Sequence, residues 1–356
     1  MDHHLETERD GAPTARRYPL AKPPNHSPPV PRWQLVFPPD RTTVFTAYVG
    51  VQTHPGSVDT TLESKRQAAS EIESWISAAP DDGPIAVERF VCLRGSDMPG
   101  SSVWVCYWDC EDSFKRSIAR LDLSSLHDRL SVESRSHVGL WYEAFASAIA
   151  RLETNYTGID YLPGLARLPG TSTEEHKLTA YWGAARDRIP NAAFDRFDKP
   201  DKPLYSIFSA ETASWELLKG SNNENVVHIR SGQFWEECGP EEASSYEGRL
   251  EPALESGLRY LWEHPAETGA IETCVTGFFE SLSSLEQWAH THKSHLAIYH
   301  GAMNHAKKFG SVRKFRTWHE VSVLGKNASM FQYLNCVPGT GVGSYLCPNA
   351  TNPLGN

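Results

Sequence analysis

The chain repeats a set of short motifs in the same order in its two halves, and this repetition restricts the folds that it can adopt. The recurring pairs are TAYVG at 46–50 and TAYWG at 179–183, YWD at 107–109 and FFE at 278–280, WYE at 141–143 and WHE at 318–320, and LPG at 162–164 and VPG at 337–339. The first pair is 133 residues apart, and the others are 171, 177 and 175 residues apart. This spacing predicts a duplicated fold, with an insertion of about 40 residues in the second half.

Hydrophobic and turn patterns around these motifs predict alternating strands and helices. In the first half we expect strands at 43–52, 85–93, 102–109 and 139–146, and helices at 62–79 and 111–121. Each half then follows the β-α-β-β-α-β order of a ferredoxin-like unit. The predicted fold is α+β, with two pseudo-symmetric ferredoxin-like halves in a barrel or sandwich whose facing sheets enclose a core or a pocket.

The same patterns divide the chain into four segments. Residues 1–40 form a proline-rich segment, which we expect to be extended and to wrap around the body because proline disfavours a helix. The first ferredoxin-like half covers 41–170, and the second half covers 171–341 with the insertion. Residues 342–356 follow a Gly/Pro/Asn-rich pattern and are expected to form an irregular tail.

Charge, hydropathy and cysteine usage exclude several classes of protein. The 34 Lys and Arg against 44 Asp and Glu give a net charge of −10, which is unfavourable for general nucleic-acid binding. No apolar run is long enough for a membrane span, and no basic stretch followed by an apolar one marks a secretory signal. The seven cysteines are scattered without a C-x-x-C pair, which indicates reduced thiols and a cytoplasmic location.

Histidines are concentrated in one predicted helix, at 282–309. At about 3.6 residues per turn, one face of this helix carries Trp288, His292, His295, Tyr299 and Ala302. A solvated helix face is the ordinary interpretation of such histidines. Five histidines in one helix also raise the expectation that one of them binds a ligand. No Cys lies nearby in the sequence, which argues against a structural zinc site.

Three further positions have both a structural and a functional interpretation. His319 lies on the apolar face of a predicted strand, either as a hydrogen-bonded core residue or as a proton-transfer group in a pocket. Its counterpart in the repeat is Tyr142, so only the second half has a histidine there. Ser231 ends a predicted strand, where it would most simply cap a following helix. Arg188 belongs to an Arg-Asp-Arg step that would most simply form a surface ion pair.

These segments together resemble the haem-dependent aldoxime dehydratases, which convert aldoximes to nitriles by removing water. The resemblance rests on YWGxxRDRxP at 181–190, IRSGQxW at 229–235, a Trp-containing helix with a His-Leu step at 295–296, HEVSV at 319–323, YVGVQ at 48–52 and LETxY at 152–156. It covers the chain from about Trp33 to Gly341. The duplicated, barrel-like α+β fold of the family is similar to the fold that the repeat predicts. The resemblance also implies a homodimer.

For the cofactor, the resemblance implies haem b (protohaem IX), active in its ferrous form, in a pocket of this fold. The proximal iron ligand of the family lies in a His-Leu step, which matches His295. His292, one turn away, is the second candidate. A neutral histidine ligand leaves the opposite face of the iron open for a substrate.

For the reaction, the resemblance implies that His319 is the distal acid–base residue and that Ser231 hydrogen-bonds the oxime oxygen. It matches Arg188 to the active-site arginine and Glu153 to a nearby carboxylate. Hydroxide is a poor leaving group, and a histidine can protonate it to water and then accept the carbon-bound proton. The expected substrates are arylaliphatic or alkyl aldoximes, with phenylacetaldoxime as an example.

Three other functions stay open from the sequence. A haem protein of related fold with peroxidase-like or chlorite-dismutase-like activity would share the proximal histidine without needing Ser231 and His319. A haem-binding or sensor protein would bind haem without converting aldoximes. A histidine-rich protein without haem would hold a divalent metal ion instead.

Overall fold

The computed structural model describes most of the chain as two antiparallel sheets with helices packed against them. The described residues are 16–56, 59–78, 81–95, 97–201, 203–209, 217–264, 270–273 and 276–342. The predicted irregular tail therefore lies outside the described residues from 343 onwards, as does the start of the N-terminal segment. The two sheets and their helices confirm the α+β class.

The first sheet, here called the site sheet, contains seven strands. They are β1 (Trp33–Val36), β6 (Leu152–Tyr156), β7 (Ser172–Glu175), β10 (Val227–Phe234), β11 (Ala270–Thr273), β12 (Thr276–Phe279) and β13 (Arg316–Val323). Their spatial order is β11-β12-β10-β13-β6-β1-β7.

The other sheet, here called the second sheet, also contains seven strands. They are β2 (Thr43–Thr53), β3 (Ala86–Val91), β4 (Ser102–Trp108), β5 (Val138–Ala148), β8 (Tyr205–Ser209), β9 (Leu217–Asn222) and β14 (Ser329–Leu334). Their spatial order is β3-β4-β2-β5-β14-β9-β8.

Helices cover the outer faces of both sheets. They are α1 (Asp59–Ser77), α2 (Glu111–Arg120), α3 (Leu123–Asp128), α4 (Pro240–Ser245), α5 (Glu251–Glu263), α6 (Leu282–Thr291) and α7 (Lys293–Phe309). Apolar side chains of α1, α2 and α3 pack on the second sheet, and those of α6 pack on the site sheet. Within the described ranges, no helix combines the length and the apolar character needed to cross a bilayer.

The predicted β-α-β-β-α-β order is present in both halves. In the first half the spatial order of the four strands is β3-β4-β2-β5, and in the second half it is β11-β12-β10-β13, so the two units have the same topology. The strand that follows each unit crosses to the other sheet: β6 pairs with β13, and β14 pairs with β5. Each sheet therefore contains strands from both halves of the chain.

The structure corrects the first of the four repeat matches. Residues 179–183 form no strand and lead into a 3-10 helix, Trp182–Asp187. The structural counterpart of 46–50 is 228–232, in β10. The first repeat match was wrong because five residues of similar sequence adopt different backbone conformations in different tertiary surroundings. The second and third matches are confirmed, since they fall on β4 and β12 and on β5 and β13.

The close approach of an indole ring identifies Gly50 and Gly232 as equivalent positions in the two halves. Gly50 lies opposite Trp141 in the β2–β5 pairing, and Gly232 lies opposite Trp318 in the β10–β13 pairing. A Cβ atom at either glycine would collide with the facing indole ring. Glycine is therefore required at both positions by packing, and not by backbone conformation.

The fourth repeat match is displaced by two residues. The structure places Gly164 beside the carboxylate of Glu320, and Gly341, rather than Gly339, beside that of Glu143. Gly164 and Gly341 both have positive φ, of 71° and 55°. Glycine adopts this left-handed conformation without the steric cost that a Cβ atom adds.

Two buried glutamates form hydrogen bonds with β6 and β14, the strands that cross from one sheet to the other. Glu320 on β13 accepts a hydrogen bond from the hydroxyl of Tyr156 on β6, at 3.2 Å. Glu143 on β5 accepts the equivalent bond from the hydroxyl of Tyr333 on β14. Each carboxylate also accepts a backbone N–H from the loop that follows the crossing strand. The two halves are thus held together by the same interaction made twice.

The facing sheets enclose a packed core. Rings of Tyr48 and Phe145 from the second sheet contact His228 of the site sheet, with centroid distances of 5.6 and 4.4 Å. Phe145 also meets Phe278 edge to face. Of the two alternatives left by the sequence, a core or a pocket between the sheets, the described structure contains the core.

We expect Gly50→Ala to destabilise the fold, because its methyl group would displace the indole of Trp141. Overpacking of this kind costs about 1–3 kcal/mol, so the urea midpoint should fall. Gly301→Ala is the matched control: its Cβ lies at an ordinary 3.9 Å from Leu250. This change should stabilise α7 by about 0.5–1 kcal/mol. Equal midpoints for the two variants would contradict the packing argument.

Candidate active site

A pocket lies on the outer face of the site sheet, between that sheet, helices α5 and α7, and the proline-rich N-terminal segment. Its walls include His295 from α7, together with Ser231 and His319 from the adjacent strands β10 and β13. Glu153 and Arg188 are fully buried behind His319. The structure therefore brings together all five residues that the sequence analysis selected.

The histidine-rich segment is two helices and not the single helix predicted. The break falls at His292, whose extended backbone ends α6 and begins α7. Its ring nitrogen Nδ1 accepts the backbone N–H of Ser294 at 3.3 Å, and its ring stacks on Tyr260. His292 thus caps a helix and is absent from the pocket wall, whereas His295 lies in the first turn of α7 and lines it.

The imidazole of His295 is held in one orientation by the helix before it. Its Nδ1 lies 3.0 Å from the carbonyl oxygen of Ala289, which can only accept, so Nδ1 carries the proton and Nε2 carries the lone pair. Aromatic rings of Tyr181, Trp182 and Trp288 surround it. Burial lowers the pKa of His295 to about 4, so the ring is neutral at pH 7.

Sheet register places three polar side chains in one row on the pocket side of the site sheet. In β13, His319 lies directly between Ser231 of β10 and Asn155 of β6. Ser231 is inside its strand, and the next helix begins only at Pro240. The interpretation of Ser231 as a helix cap is therefore wrong, because the strand continues for three residues beyond it.

His319 is hydrogen-bonded through both ring nitrogens. Its Nδ1 accepts the indole N–H of Trp182 at 3.2 Å, and its Nε2 lies 3.1 Å from Oε1 of Glu153. An indole nitrogen can only donate, so Nδ1 is the acceptor and Nε2 carries the proton of the neutral ring. Burial lowers the pKa of His319, and the carboxylate of Glu153 opposes that shift.

Arg188 and Glu153 form a buried, two-pronged ion pair. Nε of Arg188 donates to one carboxylate oxygen at 2.9 Å, and Nη2 donates to the other at 2.8 Å. The remaining nitrogen donates to backbone carbonyls, including that of Tyr181. Burial alone would raise the pKa of Glu153, but the charges of Arg188 and His319 outweigh it and bring it to about 2. The interpretation of Arg188 as half of a surface ion pair is wrong.

Other polar residues at the site were missed by sequence reasoning. His176 donates from Nε2 to the side-chain oxygen of Asn155 at 3.2 Å, and burial lowers the pKa of His176 to about 4. Trp182, which donates a hydrogen bond to His319, lies in the motif that the first repeat match pairs with a strand. Arg32 lines the pocket from the N-terminal segment. No periodicity or spacing marks these residues, because their partners are distant in sequence.

The remaining histidines of the helical segment do not meet at one point. His305 hydrogen-bonds Glu242 at 3.2 Å, and His300 is exposed. In the part of the chain that the structure describes, no group of three or more His, Cys, Asp or Glu side chains is arranged to hold a metal ion.

Comparison with known sequences agrees with the resemblance that the sequence motifs indicate. The sequence model of a family described as haem-containing dehydratase matches residues 47–342. A phenylacetaldoxime dehydratase of Bacillus sp. (strain OxB-1) is 30% identical over 90% of this chain and 92% of its own length. An aliphatic aldoxime dehydratase of Pseudomonas chlororaphis is 28% identical over 96% of both chains.

Solved structures agree with the sequence comparison. A crystal structure of an aldoxime dehydratase superposes with a TM-score of 0.76 at 26% identity, over 92% of this chain and 95% of the other. An aldoxime dehydratase in complex with butyraldoxime gives a TM-score of 0.77 at 25% identity, over 92% and 93%. Because the family match spans most of the sequence and the fold is shared throughout, the chain belongs to the haem-containing dehydratases.

Proposed function

We propose that this protein dehydrates aldoximes, R-CH=N-OH, to nitriles and water at a haem, and that its substrates are arylaliphatic or alkyl aldoximes. The observation that carries the proposal is that one pocket has a neutral histidine on its helix wall and a carboxylate-bonded histidine on its sheet wall. Family membership and the names of the relatives support the same reaction. We also propose a homodimer, which light scattering would test.

The residues of the helix wall fit a haem. His295 has a lone pair on Nε2, a fixed ring orientation and aromatic neighbours, which together suit a ligand of a haem iron. We propose haem b in this pocket. His295 would hold it, and in its ferrous form the haem would supply electron density for breaking the N–O bond.

The residues of the sheet wall fit the proton transfers. Protonated His319 carries its second proton on Nδ1, on the side of Trp182 in the pocket lining, and donates that proton to the leaving hydroxyl oxygen, which departs as water. Neutral His319 then accepts the proton from the aldoxime carbon, so its original state is restored and all protons are accounted for. The Ser231 hydroxyl, on the neighbouring strand, orients the oxime oxygen toward His319. Glu153 stabilises the charged imidazole, and Arg188 fixes the position of Glu153.

We expect His319→Ala to lower kcat by about 10²–10⁴-fold, the usual contribution of a general acid–base group, while haem content stays unchanged. Nitrile formation from phenylacetaldoxime under anaerobic, reducing conditions measures the change. The matched control is His300→Ala, an exposed histidine of α7, which should retain full activity. Full activity in His319→Ala would refute the assignment.

We expect His295→Ala to lose haem, because the change removes the proposed iron ligand. The absorbance ratio of the Soret band to the protein band in the purified variant measures the loss. His292→Ala separates the two candidates: it removes a helix cap worth about 0.5–2 kcal/mol but should keep its haem. Retention in His295→Ala with loss in His292→Ala would reverse the assignment.

We expect kcat/KM to fall as pH rises through the pKa of His319, since the active form is protonated. Burial and the positive charges of Arg188 and Arg32 lower that pKa below its ordinary 6.5, whereas Glu153 raises it. Glu153→Gln removes the raising charge, so the alkaline limb of the pH profile should move to lower pH. A limb that does not move, or that moves to higher pH, would contradict this electrostatic coupling.

A further inference from the structure

The N-terminal segment places one arginine against the pocket. The carbonyl of Arg32 accepts the backbone N–H of His176 at 2.9 Å, and β1 begins at the next residue, so the backbone at this point is fixed to the site sheet. The side chain of Arg32 lines the same pocket as His295 and His319. Arg32 is only 8% exposed.

The guanidinium of Arg32 lacks the carboxylate partner that Arg188 and Arg230 have. Arg188 is paired with Glu153, and Arg230 lies 2.8 Å from Glu88. By contrast, Nε of Arg32 is buried without a hydrogen-bond partner, and Arg32 forms no ion pair with any described carboxylate. Burial of an unpaired charge is costly, so it is rare in proteins unless a ligand supplies the opposite charge.

The charges that act on Arg32 are mostly positive. Burial and the guanidiniums of Arg313 and Arg188 lower the pKa of Arg32 to about 10. Arg188 is neutralised by Glu153, whereas Arg32 has no ion pair within the described residues. The pocket lining therefore contains a positive charge that no described carboxylate neutralises.

We propose that Arg32 binds a propionate carboxylate of the haem. A guanidinium matches a carboxylate in charge, and the planar arginine fork suits it in geometry. Nε2 of His26, also buried in the pocket lining without a partner, supplies a further donor. The inference rests on haem as the cofactor of the family and does not depend on the proton transfers assigned to His319.

A carboxylate on the substrate would have the same chemistry as a propionate. The two sources are distinguished with no aldoxime present, by comparing haem with its dimethyl ester, in which both propionates are uncharged. The full-length chain, purified without added haem, is titrated with each compound, and the Soret band gives both dissociation constants. We expect the ester to bind the wild-type chain at least about tenfold more weakly, as for the loss of one charged hydrogen bond.

Substitution of Arg32 should remove the preference for haem over its dimethyl ester. In Arg32→Met the affinity for haem should fall about tenfold or more, while the affinity for the ester changes little, so the ratio moves toward one. Arg32→Lys keeps the charge without the fork and should retain most of the preference for haem. Because each ratio is measured within one protein, a general loss of stability does not imitate the result.

Arg316→Met is the matched control. Arg316 is also partly buried but is already paired with Asp160 at 2.6 Å, so its removal should leave the ratio unchanged. Equal affinity of the wild-type chain for haem and its ester would overturn the proposal, as would a ratio that Arg32→Met leaves unchanged. Either result would leave the guanidinium of Arg32 available to a carboxylate of the substrate. Neither would bear on dehydration, which the His319 variants test separately.

Discussion

Strand β13 is the element on which both the core and the candidate site depend. It is hydrogen-bonded along both edges, to β10 and to β6, so its register is fixed on two sides. Alternation along the strand directs Trp318 and Glu320 into the core between the sheets, and His319 to the face that carries the pocket. A slip of one residue would exchange the two faces and would place the imidazole in the core. The hydrogen bonds that stabilise the sheet thus also position the proposed acid–base residue.

The duplicated fold contains an equivalent pair of strands in each half. In the described structure, the pocket to which we assign catalysis lies on the pair from the second half. In the second sheet, Val49 and Tyr142 occupy the positions that Ser231 and His319 occupy in the site sheet, with the same cross-strand register. Val49 and Tyr142 pack in the apolar layer beneath α1, α2 and α3. The topology is therefore shared by the halves, whereas the chemistry is a property of particular side chains in one of them.

The buried carboxylates of this protein have different pKa values because their hydrogen-bond and ion-pair partners differ. Glu320 and Glu153 lie on neighbouring strands, and both are fully buried. Burial raises the pKa of Glu320 to about 7, because Arg230 opposes this shift only in part and is shared with Glu88. The two-pronged bond from Arg188 brings the pKa of Glu153 to about 2. A full positive charge held in contact outweighs desolvation, and this is what allows Glu153 to stay ionised beside His319.

The sequence by itself determined the duplication, the β-α-β-β-α-β order, the strand around His319 and, through family motifs, the five residues of the candidate site. Alternation and short motifs are local, so they can be read without a structure. Tertiary structure alone decided that residues 179–183 form no strand, that His292 ends one helix and begins another, that β6 and β14 exchange sheets, and that Arg32 reaches the pocket unpaired. These features depend on contacts between residues far apart in the chain, and their energies come from burial and from partners that no local pattern specifies.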